Sequence, residues 1–146
     1  MENLQKAREL LEQENHTFVM VKGNTVYTSQ LKGIKPMYDA VTKYKQQAKG
    51  SSIADKVIGK AAALLAVYGG VKRIYAELTT PGAISVCNKY TITISFKQQV
   101  TAIQNREKTG LCPMEQLAQQ TDVPEEMLQK VALFLTEMAA KKKTEK

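Results

Sequence analysis

Tryptophan is absent from the 146 residues, histidine occurs once and cysteine twice. With His16 the only imidazole, a cysteine nucleophile would have no second histidine to serve as its base, so Cys-His catalysis is poorly supported. Cys87 and Cys112 stand apart and no C-x-x-C occurs, which leaves too few ligands at tight spacing for a zinc site. Neither G-x-G-x-x-G nor G-x-x-x-x-G-K-[ST] is present; "YGGVK" reads as a helix stop. No metal and no cofactor are expected. The longest apolar run, "AAALLAVY", is far below the ~20 residues a membrane span needs. The opening "MENLQKAREL" is charged and helical, unlike a secretory signal. A cytoplasmic protein with reduced thiols is the expectation.

What is present is an ordinary globular composition, 43% apolar and 24% charged. The length suits one domain with a core of its own, taken as residues 1–140, followed by a Lys-rich disordered tail at 141–146. The net charge is +7. The tail "KKKTEK" supplies part of it, and residues 30–60 carry seven Lys against Asp39 and Asp55. That face reads either as an anion-binding surface or as a solvated Lys surface. Few Arg and scattered aromatics argue against a dedicated nucleic-acid binder.

Periodicity orders the chain. Leu4, Ala7, Leu10 and Leu11 form one stripe of an amphipathic helix over 2–14. "HTFVMVKGNTVYTSQ" predicts a β-hairpin turning at Gly23-Asn24. A second helix starts at Lys35-Pro36, with Met37, Ala40, Val41 and Tyr44 inward. "SSIADKVIGKAAALLAVYGG" predicts a third helix, apolar almost all round. "KRIYAEL" and "YTITISF" predict strands on either side of a short helix begun by Pro81, and "QQVTAIQ" a further strand. Helices at "PMEQLAQQT" and "VPEEMLQKVALFLTEMAAK" close the chain. Helices alternating with strands imply an α/β sheet covered on its faces.

Two stretches invite chemistry. On the predicted third helix Lys56 and Lys60 are four apart and share a face, with Asp55 beside them near the N-terminus. Buried ammonium groups need a partner, so the pair would point to a cleft, an acidic group or a bound anion. The alternative is that both lysines snorkel from the helix edge and Asp55 merely suits the helix dipole. In "NREKTGLCPME", Pro113 as first helical residue makes Cys112 the N-cap and Glu115 the third residue, a capping box with sulfur in the Ser/Thr place. A thiol at a helix N-terminus is the kind that becomes a nucleophile, and Arg106 could hold an anion beside it. Alternatively Asn105 and Thr109 only build a turn and Cys112 is packed.

The combination of "ADKVIGKAAALLAVYGGVKRIYAEL" with "NREKTGLCPME" resembles a small prokaryotic family catalogued as a domain of unknown function with a cytidine-deaminase-like fold. The resemblance implies a three-layer α-β-α sandwich around a mixed β-sheet and brings no activity with it. Zinc deaminases use H-x-E at one helix start and P-C-x-x-C at the next. Aligned so, Ala54 and Lys56 stand at the first motif and Gly82 and Ser85 at the second, with every ligand and the catalytic acid missing. Hydrolytic deamination through zinc is therefore not expected.

The resulting expectation is a zinc-independent pocket protein for a small anionic ligand, nucleotide-like or phosphorylated. Lys56, Lys60, Asn105, Arg106 and Thr109 are the candidate binding residues. Asp55, Cys112 and Glu115 are the candidates for any chemistry. The rival readings are a non-catalytic interaction or regulatory module, such as a homo-oligomer, and a weak RNA binder through the basic 30–60 face.

Overall fold

A computed structural model of the chain describes residues 2–13, 15–105 and 107–144. Seven helices and five strands run in the order α1 (Glu2–Gln13), β1 (Phe18–Lys22), β2 (Thr25–Ser29), α2 (Lys35–Lys43), α3 (Lys45–Ala48), β3 (Ser52–Ile58), α4 (Lys60–Gly69), β4 (Arg73–Thr79), α5 (Pro81–Lys89), β5 (Thr93–Gln99), α6 (Pro113–Ala118) and α7 (Pro124–Thr144). The strands form one sheet in the order β2-β1-β3-β4-β5. β1 is antiparallel to both β2 and β3, whereas β3, β4 and β5 are parallel, so the sheet is mixed and the class is α/β.

The hairpin turns at Gly23-Asn24, where Gly23 has φ 59°, a conformation that only glycine adopts freely. The second helix is interrupted at Tyr44, giving α2 and the short α3. Met37, Ala40 and Val41 face the core as their spacing requires, while Tyr44 is half exposed and lies against the Tyr27 ring at 4.7 Å.

The largest correction falls on the predicted third helix. Its first part, residues 52–58, is the central strand β3, and the helix starts only at Lys60. β3 has a bonded strand on each side and side chains buried on both faces. A strand buried on both faces is an apolar run, which periodicity alone does not separate from a buried helix. "QQVTAIQ" is likewise no separate strand: β5 ends at Gln99, and Gln104 makes only an isolated bridge to Leu111. α7 continues through Thr144, so residues 141–144 of the expected disordered tail are helical, and 145–146 lie outside the described residues.

Helices cover both faces of the sheet. On one face, α1 lays Ala7 and Leu11 on Val19, Val21, Ala54 and Tyr75, with the Arg8 guanidinium 4.2 Å above the Tyr75 ring. On the other, α2, α4, α5 and α7 share a larger core with Phe18, Met20, Ile53, Ile74 and Ala76 from the sheet. The α4 segment Ala61–Ala66 is buried along its whole length, since α2, α5, α6 and α7 all pack on it. Its small residues permit those close approaches.

Candidate functional site

Strand alternation decides where the acidic and basic groups of β3 go. Asp55 pairs across the sheet with Phe18 and Ala76, two members of the larger core, so its carboxyl points to the α2/α4 face. Lys56 points to the opposite face, where its ammonium lies 3.3 Å from Glu77 on β4. The two lysines therefore do not share a helical face. Lys60 begins α4 and reaches Asp122 in the turn before α7 at 2.6 Å. That contact holds the Asp122 carboxyl below the usual carboxylate range, through the hydrogen bond first and the charge second. Asp122 is largely exposed, so the pair adds little stability.

The deaminase alignment changes as well. "ADK" lies inside a strand, so Ala54 and Lys56 do not occupy a helix start; "PGAIS" does begin α5, with Thr80 as its cap. Among the described residues no group of three or more His, Cys, Asp or Glu is arranged to hold a metal.

Around Asp55 the structure opens a cavity of about 440 Å³. It lies where β3 passes into α4, at the carboxyl end of a parallel strand, the usual ligand position in open α/β sheets. Asp55, Val57 and Gly59 come from β3 and its exit; Leu31, Ile34 and Met37 come from the β2–α2 connection and α2; Ile103 and Cys112 come from the long connection after β5, and Met114 and Glu115 from α6. Asp55, Cys112 and Glu115 are thus brought to one cavity out of two separate stretches of the chain, and Lys56 borders it while its ammonium turns to Glu77 on the other sheet face. Lys60, Asn105 and Thr109 are not part of the wall. Asn105 and Thr109 bond to one another through side chain and backbone at 3.0–3.1 Å, which makes them builders of an exposed turn. Arg106 lies outside the described residues.

Glu115 holds the site's geometry together. Cys112 is indeed the N-cap of α6 and Pro113 its first residue, but the sulfur makes no capping hydrogen bond and the expected reciprocal box does not form. Instead the Glu115 carboxylate accepts the backbone N–H groups of Lys60 at 3.0 Å and Ala61 at 3.2 Å, and so caps α4 from another element. A carboxylate there satisfies two orphan donors and meets the positive end of the helix dipole. The approach demands glycine at 59: a Cβ would stand 2.6 Å from both the Glu115 carboxyl carbon and the Ile103 side chain. The loop that delivers Glu115 is closed by the backbone bonds Cys112 N–H to Ile103 O and Asn105 N–H to Gly110 O, each 2.9 Å.

Asp55 is a strongly perturbed carboxyl on the cavity wall. Only 8% of it is exposed, and burial pushes it up to about 8. The backbone N–H groups of Val57 and Lys56 oppose that rise, and the Glu77 charge adds to it. The Val57 N–H donates to Oδ1 at 3.3 Å, and among the described residues no ammonium or guanidinium pairs with the group. At neutral pH Asp55 is therefore mostly a neutral acid, able to donate a hydrogen bond or a proton. Cys87, by contrast, is packed in the core and its thiol is pushed up to about 11 by burial.

The residues that sequence reasoning missed are Thr17, Leu31, Ile34 and Met37. Leu31 and Ile34 belong to a short polar-looking connection with no motif. Thr17 accepts the Lys56 N–H through its backbone oxygen, an interaction without sequence signature. The basic 30–60 face is also partly neutralised, since Lys35 and Lys43 both contact Asp39, at 2.8 and 3.6 Å.

Comparison with known proteins agrees with this architecture. The crystal structure of a DUF1893 family protein (TM1506) from Thermotoga maritima superposes with a TM-score of 0.81, over 90% of this chain and 88% of that one, at 24% identity. A search of curated proteins gave no match. The sequence model of the family described as "TM1506: Domain of unknown function (DUF1893)" matches residues 6–135, and the chain accordingly belongs to the DUF1893 family.

Proposed function

We propose that the protein is a small-molecule binding protein whose ligand occupies the cavity between β3, α2 and the 103–115 connection, and that the ligand has an apolar body with a polar group directed at Asp55. The observation that carries this reading is the buried Asp55 carboxyl, without an ion-pair partner among the described residues, on the wall of a cavity of about 440 Å³. A few polar groups in a mostly apolar concave wall are the usual make-up of ligand sites. The volume suits one or two rings.

The contacts of Lys56, Lys60 and the α4 N-terminus speak against the anionic ligand expected from the sequence. Each lysine meets its own carboxylate, and the α4 N-terminus is already occupied by Glu115. Of the candidates for chemistry, Asp55 and Cys112 remain on the wall together, and Glu115 acts as a positioning group.

A thermal-shift screen of one- and two-ring fragments tests the proposal, because a ligand that binds only the folded form raises its stability. Val57 lines the cavity yet is 40% exposed, so Val57→Trp fills the mouth with little strain in the core. Fragments should raise the Tm of the natural protein and leave that of Val57→Trp unchanged. Equal shifts in both, or none in either, refute it.

A second reading, an interaction module, draws on β5. Among the described residues this strand pairs with β4 alone, and Phe96 upon it is 41% exposed. An open strand edge pairs readily with another chain. Sedimentation of the natural protein and of Phe96→Lys tests it: a dimer that the substitution dissolves favours the module, and a monomer in both cases removes it.

A further inference from the structure

The cavity wall also bears on the class of ligand. Its two inward acidic side chains are unequal. Glu115 has both oxygens engaged by the Lys60 and Ala61 N–H groups. Asp55 meets the backbone N–H groups of Val57, at Oδ1, and of Lys56, and has no basic partner among the described residues. The other charged groups near it are Glu77, on the far face and tied to Lys56, and Lys32, in the exposed β2–α2 connection at the cavity wall. The remaining walls present Met37, Ala61, Ala62, Ile103 and Met114, with Cys112 the only thiol. Among the described residues the one unpaired cation an anion would meet at this wall is Lys32, in the exposed connection, and a purely apolar guest leaves the buried Asp55 carboxyl without a partner.

We infer that the ligand carries a planar basic nitrogen group, of the amidine or amino-heterocycle class, on an apolar ring, with its N–H edge seated on the Asp55 carboxylate. This rests on the pocket reading above and deepens it. A flat N–H edge against a carboxylate forms short charge-assisted hydrogen bonds, which gain strength where water is excluded. The apolar walls receive the ring.

Binding of such a cation requires the ionised carboxylate, whereas the empty site holds a proton on Asp55 until about pH 8. Complex formation at neutral pH thus releases that proton. Glu115, Glu77, Lys32, Lys56 and Cys112 are the other titratable groups packed around the cavity or against β3.

The test is calorimetric titration of the full chain with three isosteric probes, benzamidine, benzamide and benzoate, at pH 6.0 and pH 8.5. Benzamidine is expected to bind about tenfold or more tighter than benzamide at the higher pH, with benzoate weakest. Its affinity should fall about tenfold per pH unit below the Asp55 value. Asp55→Asn should abolish the preference for benzamidine, with the far-UV signal and the cooperativity of unfolding of the variant serving as the check on its fold. Should that variant fail to fold, the pH dependence in the natural protein decides alone. Benzamide or benzoate binding as tightly as benzamidine, or a benzamidine affinity that ignores pH, overturns this inference and leaves the pocket reading standing. Binding of none of the three, where the fragment screen finds other ligands, also overturns it; silence in both experiments removes the pocket reading itself.

Discussion

Asp55 works against the stability of the fold whenever it is charged. Its carboxyl stands at about 8 in the folded chain against an ordinary 3.8, so between those values the folded form binds more protons than the unfolded one. Stability linked to this group is complete at low pH and declines as pH rises toward 8, the reverse of an ion-paired carboxylate. Asp55→Asn removes the ionisation. Urea unfolding of both proteins at pH 4 and pH 8.5 should show the Asn variant gaining on the natural protein with pH, by an amount on the order of several kcal/mol. Parallel pH profiles would mean the carboxyl is solvated. The thiols divide in the same manner. Cys112 lines the cavity and Cys87 is sealed in the core. A thiol reagent should therefore modify one cysteine in the native protein and the second only on unfolding, and prior occupation of the cavity should protect the first.

Between elements, one contact governs how the site is assembled. α6 is short, yet its Glu115 completes the first turn of α4, and Gly59 makes the room. Glu115→Ala frees two backbone N–H groups and should cost about 1–2 kcal/mol in chemical denaturation, with Glu115→Gln milder because the amide oxygen still accepts. Gly59→Ala drives a methyl into Glu115 and Ile103 and should cost about 1–3 kcal/mol while weakening any cavity ligand. Combining Gly59→Ala with Glu115→Ala ought to be less damaging than the sum, since the two share one contact. Strict additivity would place them in separate interactions. The β3–α4 boundary was not legible, because Ser52–Asp55 is buried on both faces and lacks the alternation that marks a half-exposed strand. The hairpin and the Pro81 helix start were legible, since Gly23-Asn24 and Thr80-Pro81 impose local geometry whatever lies around them.

Across the whole molecule, both apolar clusters draw on β1, β3 and β4, one on each sheet face. Loss of either face exposes the back of the same three strands, so the expectation of one domain predicts a single cooperative transition, with fluorescence of the tyrosines and far-UV signal changing together. Separate transitions would divide the molecule. The end of α7 tells a different story, since Thr136 to Lys142 is exposed along its length. Removal of residues 139–146 should leave the unfolding free energy within about 0.5 kcal/mol of that of the natural protein in urea titration.

Composition and local pattern determined the α/β class, the hairpin, the helix starts at Pro81, Pro113 and Pro124, and the two stretches that meet at the cavity. Each of these depends on backbone preference or on residue types close together in the chain. Only the tertiary structure decided that Ser52–Ile58 is a strand, that Lys56 and Asp55 face opposite ways, and that Glu115 serves α4 rather than its own helix. The physical reason is that a side chain's direction and charge partner are set by which strand or helix stands opposite, and that neighbour is contributed by residues remote in sequence.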